Sequence, residues 1–146
     1  VVLAPQGESE VDKSLKADAL NTVKSFKDNM DKMELSLTIK TVWAFISRAN
    51  KYIDETAPWA LAKDPAKKQE LANVMYNLIE ALRHISVLVA PFMPITAKKI
   101  WEQLNMPQDF ASLQLSDIEG WDGTPANMKV GKPEQLFPRI EVKKND

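Results

Sequence analysis

The sequence contains no cysteine, a single histidine and only four glycines among its 146 residues. Without cysteine it forms no disulfide and no thiolate, which fits a reducing compartment. One histidine, His84, cannot supply the clustered ligands that zinc sites use. Catalysis needs converging reactive groups, and no glycine-rich phosphate-binding loop occurs. We therefore expect a binding or structural domain with no catalytic site and no metal site.

An excess of basic residues is also missing. The 19 lysines and arginines are balanced by 20 aspartates and glutamates, which gives a formal net charge of −1. A protein that grips many phosphates normally carries a clear positive excess. If RNA is the partner, the contact must be local and must rely on a few bases.

Long apolar runs are absent as well. No segment is apolar enough to cross a bilayer, and the first residues, VVLAPQGESE, lack the pattern of a signal peptide. The length suits one domain, and 45% apolar with 27% charged residues is an ordinary globular composition. We expect the chain to be cut from a longer one, with residues 1–8 as a linker remnant.

The hydrophobic periodicity predicts four helices. The first runs from Ser9 to Met33, and Ser9 with Asp12 has the spacing of a capping box. The second covers about Ser36–Thr56. The third follows Asp64 as its N-cap and continues to about Ala90, and the fourth is Pro94–Leu104.

These helices and their short connections predict an all-α fold, an antiparallel helical bundle over residues 1–104. Residues 105–146 lose the periodicity and hold three of the four glycines. We expect them to form an extended C-terminal tail that packs on the bundle.

Apolar stripes predict the core. The stripe of the second helix is Ile39, Val42, Trp43, Ile46, Ala49 and Ile53. The stripe of the third helix is Leu71, Val74, Met75, Leu78, Leu82, Ile85 and Val89. By the same reasoning Trp43 and Trp101 are predicted core residues, and Trp121 is predicted to dock the tail.

Four short motifs occur in a fixed order. The first is the run from Asn50 to Trp59, NKYIDETAPW, and ALAKD follows it directly. APFMP spans residues 90–94, and LFPRIE spans residues 136–141. Together they resemble the anticodon-binding domain of methionyl-tRNA synthetases, and the resemblance extends over residues 11–141.

The resemblance implies the function. The full enzyme would attach methionine to tRNA in the cytoplasm, using ATP with magnesium, and this domain would recognise the CAU anticodon. Its partners would be the anticodon loop of tRNA(Met) and the catalytic domain of the same enzyme, with no membrane and no DNA. This chain itself would hold no cofactor.

The family pattern is incomplete in this chain. The two ATP-handling motifs of the catalytic domain do not occur in it. Neither does the earlier helix whose Asn and Arg read the anticodon in the family. We therefore expect weak or undetectable tRNA affinity for these residues alone.

Trp59 is the main candidate for RNA binding. It follows Pro58 in a break between two helices and lies off any apolar stripe, so its ring could hold an unpaired base by stacking. The residues alone equally allow Trp59 to fold back and fill the helix junction. The resemblance favours the base platform and includes Pro58 in the RNA-binding surface.

Asn50 and Asp54 are one helical turn apart, on the flank that leads to Trp59. An amide and a carboxylate suit the edge of a base, although Asp54 could instead brace the helix end. Arg48, Lys51 and Lys63 are candidate phosphate contacts, and the alternative for each is an ordinary solvated charge.

Two alternatives remain. A helical protein-interaction or scaffold module without RNA binding would expose an apolar patch. The same domain from a synthetase of the isoleucine, valine or leucine group would share the architecture, but the DETAPW run indicates methionine.

Overall fold

The computed structural model describes residues 1–140. The final residue of the LFPRIE motif, Glu141, and the predicted end of the tail lie outside the described residues. The helices are α1 (Glu10–Asp31), α2 (Leu35–Thr56), α3 (Pro58–Leu61), α4 (Lys68–Val89) and α5 (Pro94–Leu104). Short 3-10 turns cover Pro65–Lys67, Phe110–Ser112 and Leu115–Ile118. The predicted all-α fold, a helical bundle with a C-terminal tail, is confirmed.

Local capping sets where α1 begins. The hydroxyl of Ser9 accepts a hydrogen bond from the backbone N–H of Asp12 at 3.2 Å. The backbone N–H of Ser9 donates to the Asp12 carboxylate at 2.8 Å. The predicted capping box is therefore confirmed, and Ser9 satisfies helix donors that would otherwise lack partners.

The third predicted helix begins later than expected. Asp64 does act as a cap, because its carboxylate accepts from the backbone N–H of Ala66 at 2.9 Å. The residues that follow form the 3-10 turn Pro65–Lys67, and α4 starts only at Lys68. Turns of this kind are common at the N-termini of α-helices.

The centre of the bundle is α4. It packs against α1, α2, α3, α5 and the tail turn Leu115–Ile118. From Ile79 onward nearly every residue of α4 is buried, on all sides of the helix. The tail covers one side of the core with partly buried apolar side chains, and Ile118 is fully buried.

A charged cluster joins α4 to the tail. Glu80 is 0% exposed and Arg83 5% exposed. Arg83 donates from Nε and Nη2 to the Glu80 carboxylate at 3.0–3.2 Å. Its guanidinium also donates to the carbonyls of Asp117 at 2.8 Å and Gly120 at 3.3 Å. The backbone N–H of Thr124 donates to Glu80 as well, so the tail is fixed by buried hydrogen bonds.

His84 completes this cluster. Its Nδ1 donates to the carbonyl of Glu80 at 2.9 Å, and its ring lies 5.1 Å from that of Trp121. Burial lowers the pKa of His84, which keeps the ring neutral. Trp121 docks the tail as predicted, with Nε1 donating to Asn77 at 3.3 Å.

The predicted core is wrong at four positions. Trp101 is buried as expected, but Trp43 is 46% exposed and is not a core residue. The periodicity also places Ile39, Met75 and Leu82 on buried stripes, but these side chains are 38%, 44% and 41% exposed. The apolar stripe of α2 is wider than the face that the bundle covers. The side of this stripe that carries Ile39 and Trp43 remains exposed to solvent.

The first residues pack on the bundle. Val2 is buried against Tyr76, Ile79 and Leu104. Its backbone N–H donates to the carbonyl of Met128 at 2.7 Å, in an isolated antiparallel bridge. Residues 1–8 and the tail therefore meet beside α4 and α5.

Candidate nucleic-acid interface

The RNA-binding candidates lie where α2 ends and α3 begins. We call residues 50–63 the α2–α3 corner. The chain turns at Ala57, which has a left-handed backbone with φ of 42° and ψ of 61°. Its N–H donates to the carbonyl of Ile53 at 2.9 Å and closes α2. The helix break is therefore one residue long, and α3 follows at once.

Pro58 is the first residue of α3, where its fixed φ and missing N–H suit a helix start. The single turn of α3 packs on α4 and buries Leu61, which is 6% exposed. Leu61 therefore anchors the turn that carries Trp59.

Trp59 projects from this anchored turn. It is 56% exposed and does not fill the helix junction. An indole with that much free surface meets the first requirement of a base platform, because a base stacks on an accessible aromatic face. The backbone beneath it is held by α4, so its position is defined without bound RNA.

Asn50 and Asp54 are both exposed, on the last turns of α2. At about 100° per residue they fall on nearly the same line along the helix, one turn apart. Other groups close the helix end, since the Thr56 hydroxyl donates to the Tyr52 carbonyl at 2.7 Å. The polar side chains of Asn50 and Asp54 are therefore accessible from the side of α2 that leads toward the corner.

Arg48 lies on a different side of α2 and is already paired. Its guanidinium donates to Asp18 at 3.1 Å, to Glu55 at 3.1 Å and to the Ser14 hydroxyl at 3.4 Å. Its side chain is only 18% exposed. The structure therefore places Arg48 in a contact between α1 and α2, away from Asn50 and Asp54.

Lys51 and Lys63 are the more accessible cations. The Lys51 side chain is 71% exposed and its Nζ lies 3.6 Å from Glu55. Lys63 is exposed just beyond α3. Acidic residues are interspersed along the same stretch, so the corner offers local positive charges and no extended basic track.

An apolar groove runs along the side of α2 that carries Asn50. It has a volume of about 470 Å³ and lies between α2, α4, α5 and the tail residues Leu136 and Phe137. Trp43, Met75 and Leu82 contribute exposed apolar surface to it. Asn50 is one of its lining residues. Hydrophobic periodicity alone does not reveal this groove, because it predicts that most of the lining residues belong to the core.

Within residues 1–140, no helix is both long enough and apolar enough to cross a membrane. No cluster of three or more His, Asp or Glu side chains with the arrangement of a metal site occurs among these residues.

Comparisons with known proteins identify relatives along nearly the whole chain. Residues 4–146 match the family described as the anticodon binding domain of methionyl tRNA ligase. The chain is 45% identical over 139 residues to the methionine--tRNA ligase of Bacillus subtilis, and the match covers 92% of the chain and 20% of that protein. It is 45% identical over 142 residues to the Clostridium tetani methionine--tRNA ligase, with 97% and 22% covered.

The fold is similar to that of solved structures. The free-state crystal structure of Mycobacterium tuberculosis methionyl-tRNA synthetase matches with a TM-score of 0.85 at 25% identity, over 97% of this chain and 28% of that one. The same synthetase in complex with methionyl-adenylate matches with a TM-score of 0.84 at 26% identity, over 94% and 27%. The chain spans about a fifth of the length of the curated relatives it matches.

Proposed function

Because this chain belongs to the family of anticodon-binding domains of methionyl-tRNA ligases, we propose that it binds the anticodon loop of tRNA(Met) and recognises its CAU anticodon. The observation that best supports this role is the 56% exposure of Trp59 on a turn anchored to the bundle. Because the chain has no excess of positive charge, its RNA contact must depend on a few bases, and a single exposed aromatic ring can provide such a contact.

In the proposed complex, Trp59 stacks on the first anticodon base. Such stacking contributes about 1–3 kcal/mol per base. Pro58 sets the direction of the turn beneath the ring. Asn50 offers an amide that donates and accepts, and Asp54 a carboxylate that accepts from an amino group, so both suit the edge of an unstacked base.

Phosphate contacts are secondary in this mechanism. Lys51 and Lys63 approach the loop backbone, whereas Arg48 holds α2 against α1 through Asp18 and must exchange partners to reach a phosphate. With two lysine contacts, the logarithm of the binding constant falls with the logarithm of salt concentration with a slope of about −1.4. A steep salt dependence would indicate a larger basic surface than the corner provides.

The activity of the whole protein is part of the proposal. A longer polypeptide containing this domain would attach methionine to tRNA with ATP and magnesium, in the cytoplasm. Support comes from the relatives' names and from the Mycobacterium tuberculosis synthetase crystallised with methionyl-adenylate. The role of this domain would be to select the tRNA, while the reaction takes place elsewhere in the longer polypeptide.

Binding is tested by titrating the isotopically labelled chain with a short RNA hairpin that carries a CAU anticodon loop. We expect the Trp59 indole resonance and the amide resonances of the α2–α3 corner to shift, even if affinity is weak. A hairpin with a changed first anticodon base is the control for recognition. Shifts confined to other surfaces, or equal shifts with both hairpins, would contradict the proposal.

The apolar groove supports a second function, protein contact. We propose that the part lined by Trp43, Met75 and Leu82 is covered by the remainder of the ligase polypeptide, by an amphipathic helix that inserts large apolar side chains and leaves Asn50 free for RNA. Exposed apolar surface of this kind normally marks an interface. The relatives are about five times as long as the matched region, so most of their chain is available to cover it.

Oxidative footprinting tests this contact. In the 146-residue chain, Trp43 and Met75 should be oxidised readily because both are nearly half exposed. In a complete ligase that carries the domain, both should be protected while Trp59 stays reactive. Equal oxidation of Trp43 and Met75 in both proteins would mean that the remainder of the polypeptide does not occupy the groove.

A further inference from the structure

A buried chain of hydrogen bonds crosses the bundle from Tyr52, in the α2–α3 corner, to the tail. The Tyr52 hydroxyl donates to the Asp12 carboxylate at 2.5 Å and accepts from the Asn77 amide at 3.3 Å. The Asn77 oxygen in turn accepts from Trp121 Nε1 at 3.3 Å. Tyr52 is 0% exposed, Asp12 5% and Asn77 7%. One hydroxyl therefore joins α1, α2 and α4, and through Asn77 the tail.

Tyr52 lies close to the functional residues along the chain. It occupies the last-but-one turn of α2, between Asn50 and Asp54. Its backbone carbonyl accepts from the Thr56 hydroxyl at 2.7 Å, one residue before the left-handed turn at Ala57. Any rotation of this part of α2 would change the direction of Asn50 and Asp54 and move the start of α3.

We propose that Tyr52 is a positioning residue for RNA recognition, because its hydroxyl fixes the final turns of α2 in the orientation that presents Trp59, Asn50 and Asp54. This inference rests on the proposed function, since it assigns a role in the same RNA-binding surface. Tyr52 does not touch RNA and acts through the backbone of the corner.

The hydroxyl cannot be replaced by its neighbours. The second oxygen of Asp12 already accepts from the backbone N–H of Ser9, so the first oxygen depends on Tyr52 as its donor. A phenylalanine would leave a buried carboxylate oxygen and the Asn77 amide without this partner, and buried polar groups without partners are costly. Burial, with the Asp12 hydrogen bond, raises the pKa of Tyr52 well above its usual range, which keeps the hydroxyl protonated as a donor.

The chain contains a matched control. Tyr76 is also buried, at 3% exposure, and its hydroxyl donates to the carbonyl of Thr124 at 3.2 Å. That bond holds the tail on α4 and involves no residue of α2. Tyr52→Phe and Tyr76→Phe therefore remove the same atom from buried sites, and only Tyr52 belongs to the corner.

The experiment uses the complete 146-residue chain labelled with 5-fluorotryptophan, with its four fluorine signals assigned by single Trp→Phe variants. In the free protein, Tyr52→Phe should shift the Trp59 signal, and Tyr76→Phe should leave it in place. With the CAU hairpin, Tyr52→Phe should weaken binding about tenfold, equivalent to about 1.4 kcal/mol, while Tyr76→Phe binds as the unaltered chain does.

The outcomes separate the two proposals. If the hairpin moves the Trp59 signal of the unaltered chain and Tyr52→Phe changes neither that signal nor affinity, the positioning role is overturned and RNA binding stands. If the hairpin moves no signal in any variant, the proposed function fails, and the signal of the free protein still reports whether Tyr52 positions Trp59. If both tyrosine variants changed the Trp59 signal and the hairpin affinity equally, the role would also be overturned, because the changes would then reflect a general loss of bundle stability.

Should Tyr52→Phe fail to fold, Asn77→Ala replaces it. That variant keeps the bond between Tyr52 and Asp12 and removes only the contacts to α4 and Trp121. A displacement of the Trp59 signal relative to that of the unaltered free protein, together with weaker hairpin binding, would support the proposal. An unchanged signal with unchanged binding would overturn it.

Discussion

Replacing Arg83 with alanine is expected to lower the free energy of unfolding by about 3–5 kcal/mol, because it leaves the carboxylate of Glu80 buried without its cation. Glu80 is fully buried and would retain the Thr124 N–H as its donor. The carbonyls of Asp117 and Gly120 would lose the guanidinium at the same time. Domains are stable by only about 5–15 kcal/mol, so the loss is a large fraction of the total.

Urea denaturation followed by circular dichroism and tryptophan fluorescence measures this effect. The control is Lys98→Ala, which breaks another ion pair within one helix, to Glu102 at 3.7 Å, with side chains 61% and 60% exposed. An exposed pair contributes about 0–1 kcal/mol, so the control should unfold almost as the unaltered chain does. Equal stability losses in the two variants would contradict the buried role of Arg83.

Removing both charges should be less harmful than removing one. In Glu80→Leu combined with Arg83→Met, neither charge of this pair remains buried, and apolar side chains of similar size fill the space. We expect the double variant to regain part of the stability lost in Arg83→Ala, because the Thr124 N–H and the two tail carbonyls still lack their partners. Fluorescence of Trp121, which packs on His84, would report whether the tail still docks.

The sequence predicts best where structure depends on near neighbours. The capping box of Ser9 and Asp12 and the start of α5 at Pro94 are set by residues a few positions apart, and both were predicted correctly. The same holds for the break before Trp59, since Pro58 restricts the residue that precedes it. That the break is a single left-handed residue, Ala57, depends on how α3 packs on α4 and was not predictable.

Periodicity identifies apolar faces and does not say what covers them. Trp43 and Val42 are neighbours on one apolar stripe of α2, yet Val42 is fully buried and Trp43 faces the groove. In α4 the sequence misleads in the opposite direction, because two charged residues are buried. Glu80 and Arg83 have the spacing of an exposed ion pair, and only the surrounding of α4 by four other helices and the tail buries them.

The residues of the proposed RNA-binding region also divide into those that local spacing predicts and those whose contacts depend on distant parts of the chain. Trp59, Asn50 and Asp54 were placed by local spacing, and the structure leaves all three exposed. Arg48 and Tyr52 each have a partner on α1, at Asp18 and Asp12, 30 and 40 positions away in sequence. Contacts over such distances depend on the packing of two helices, and one sequence carries no signal for them.

Trp59→Ala is expected to weaken binding of the CAU hairpin by about 5- to 150-fold, the factor that corresponds to the 1–3 kcal/mol of one stacked base. Its stability should hardly change, because the ring is more than half exposed and Leu61 still anchors α3. In a complete ligase the same change should lower kcat/KM for charging tRNA(Met), mainly through a higher KM for the tRNA.

Trp43→Ala is the matched control for this prediction. Both tryptophans are about half exposed, at 46% and 56%, and both belong to the region around α2, but Trp43 lies in the apolar groove. Both variants therefore remove one exposed indole. Only Trp59→Ala should bind the CAU hairpin more weakly than the unaltered chain does. Similar hairpin affinity in the two variants would contradict the base-platform role.

The identity of the side chain gives a further test of mechanism. If Trp59 acts by stacking, Trp59→Tyr and Trp59→Phe should retain part of the affinity, because any aromatic face holds a base, whereas Trp59→Leu should bind as weakly as Trp59→Ala. If the indole N–H instead donates a specific hydrogen bond, tyrosine and phenylalanine should differ sharply, because only tyrosine retains a donor. An exposed ring at the end of a one-turn helix is free to approach a base face-on, and this geometry favours the graded aromatic series.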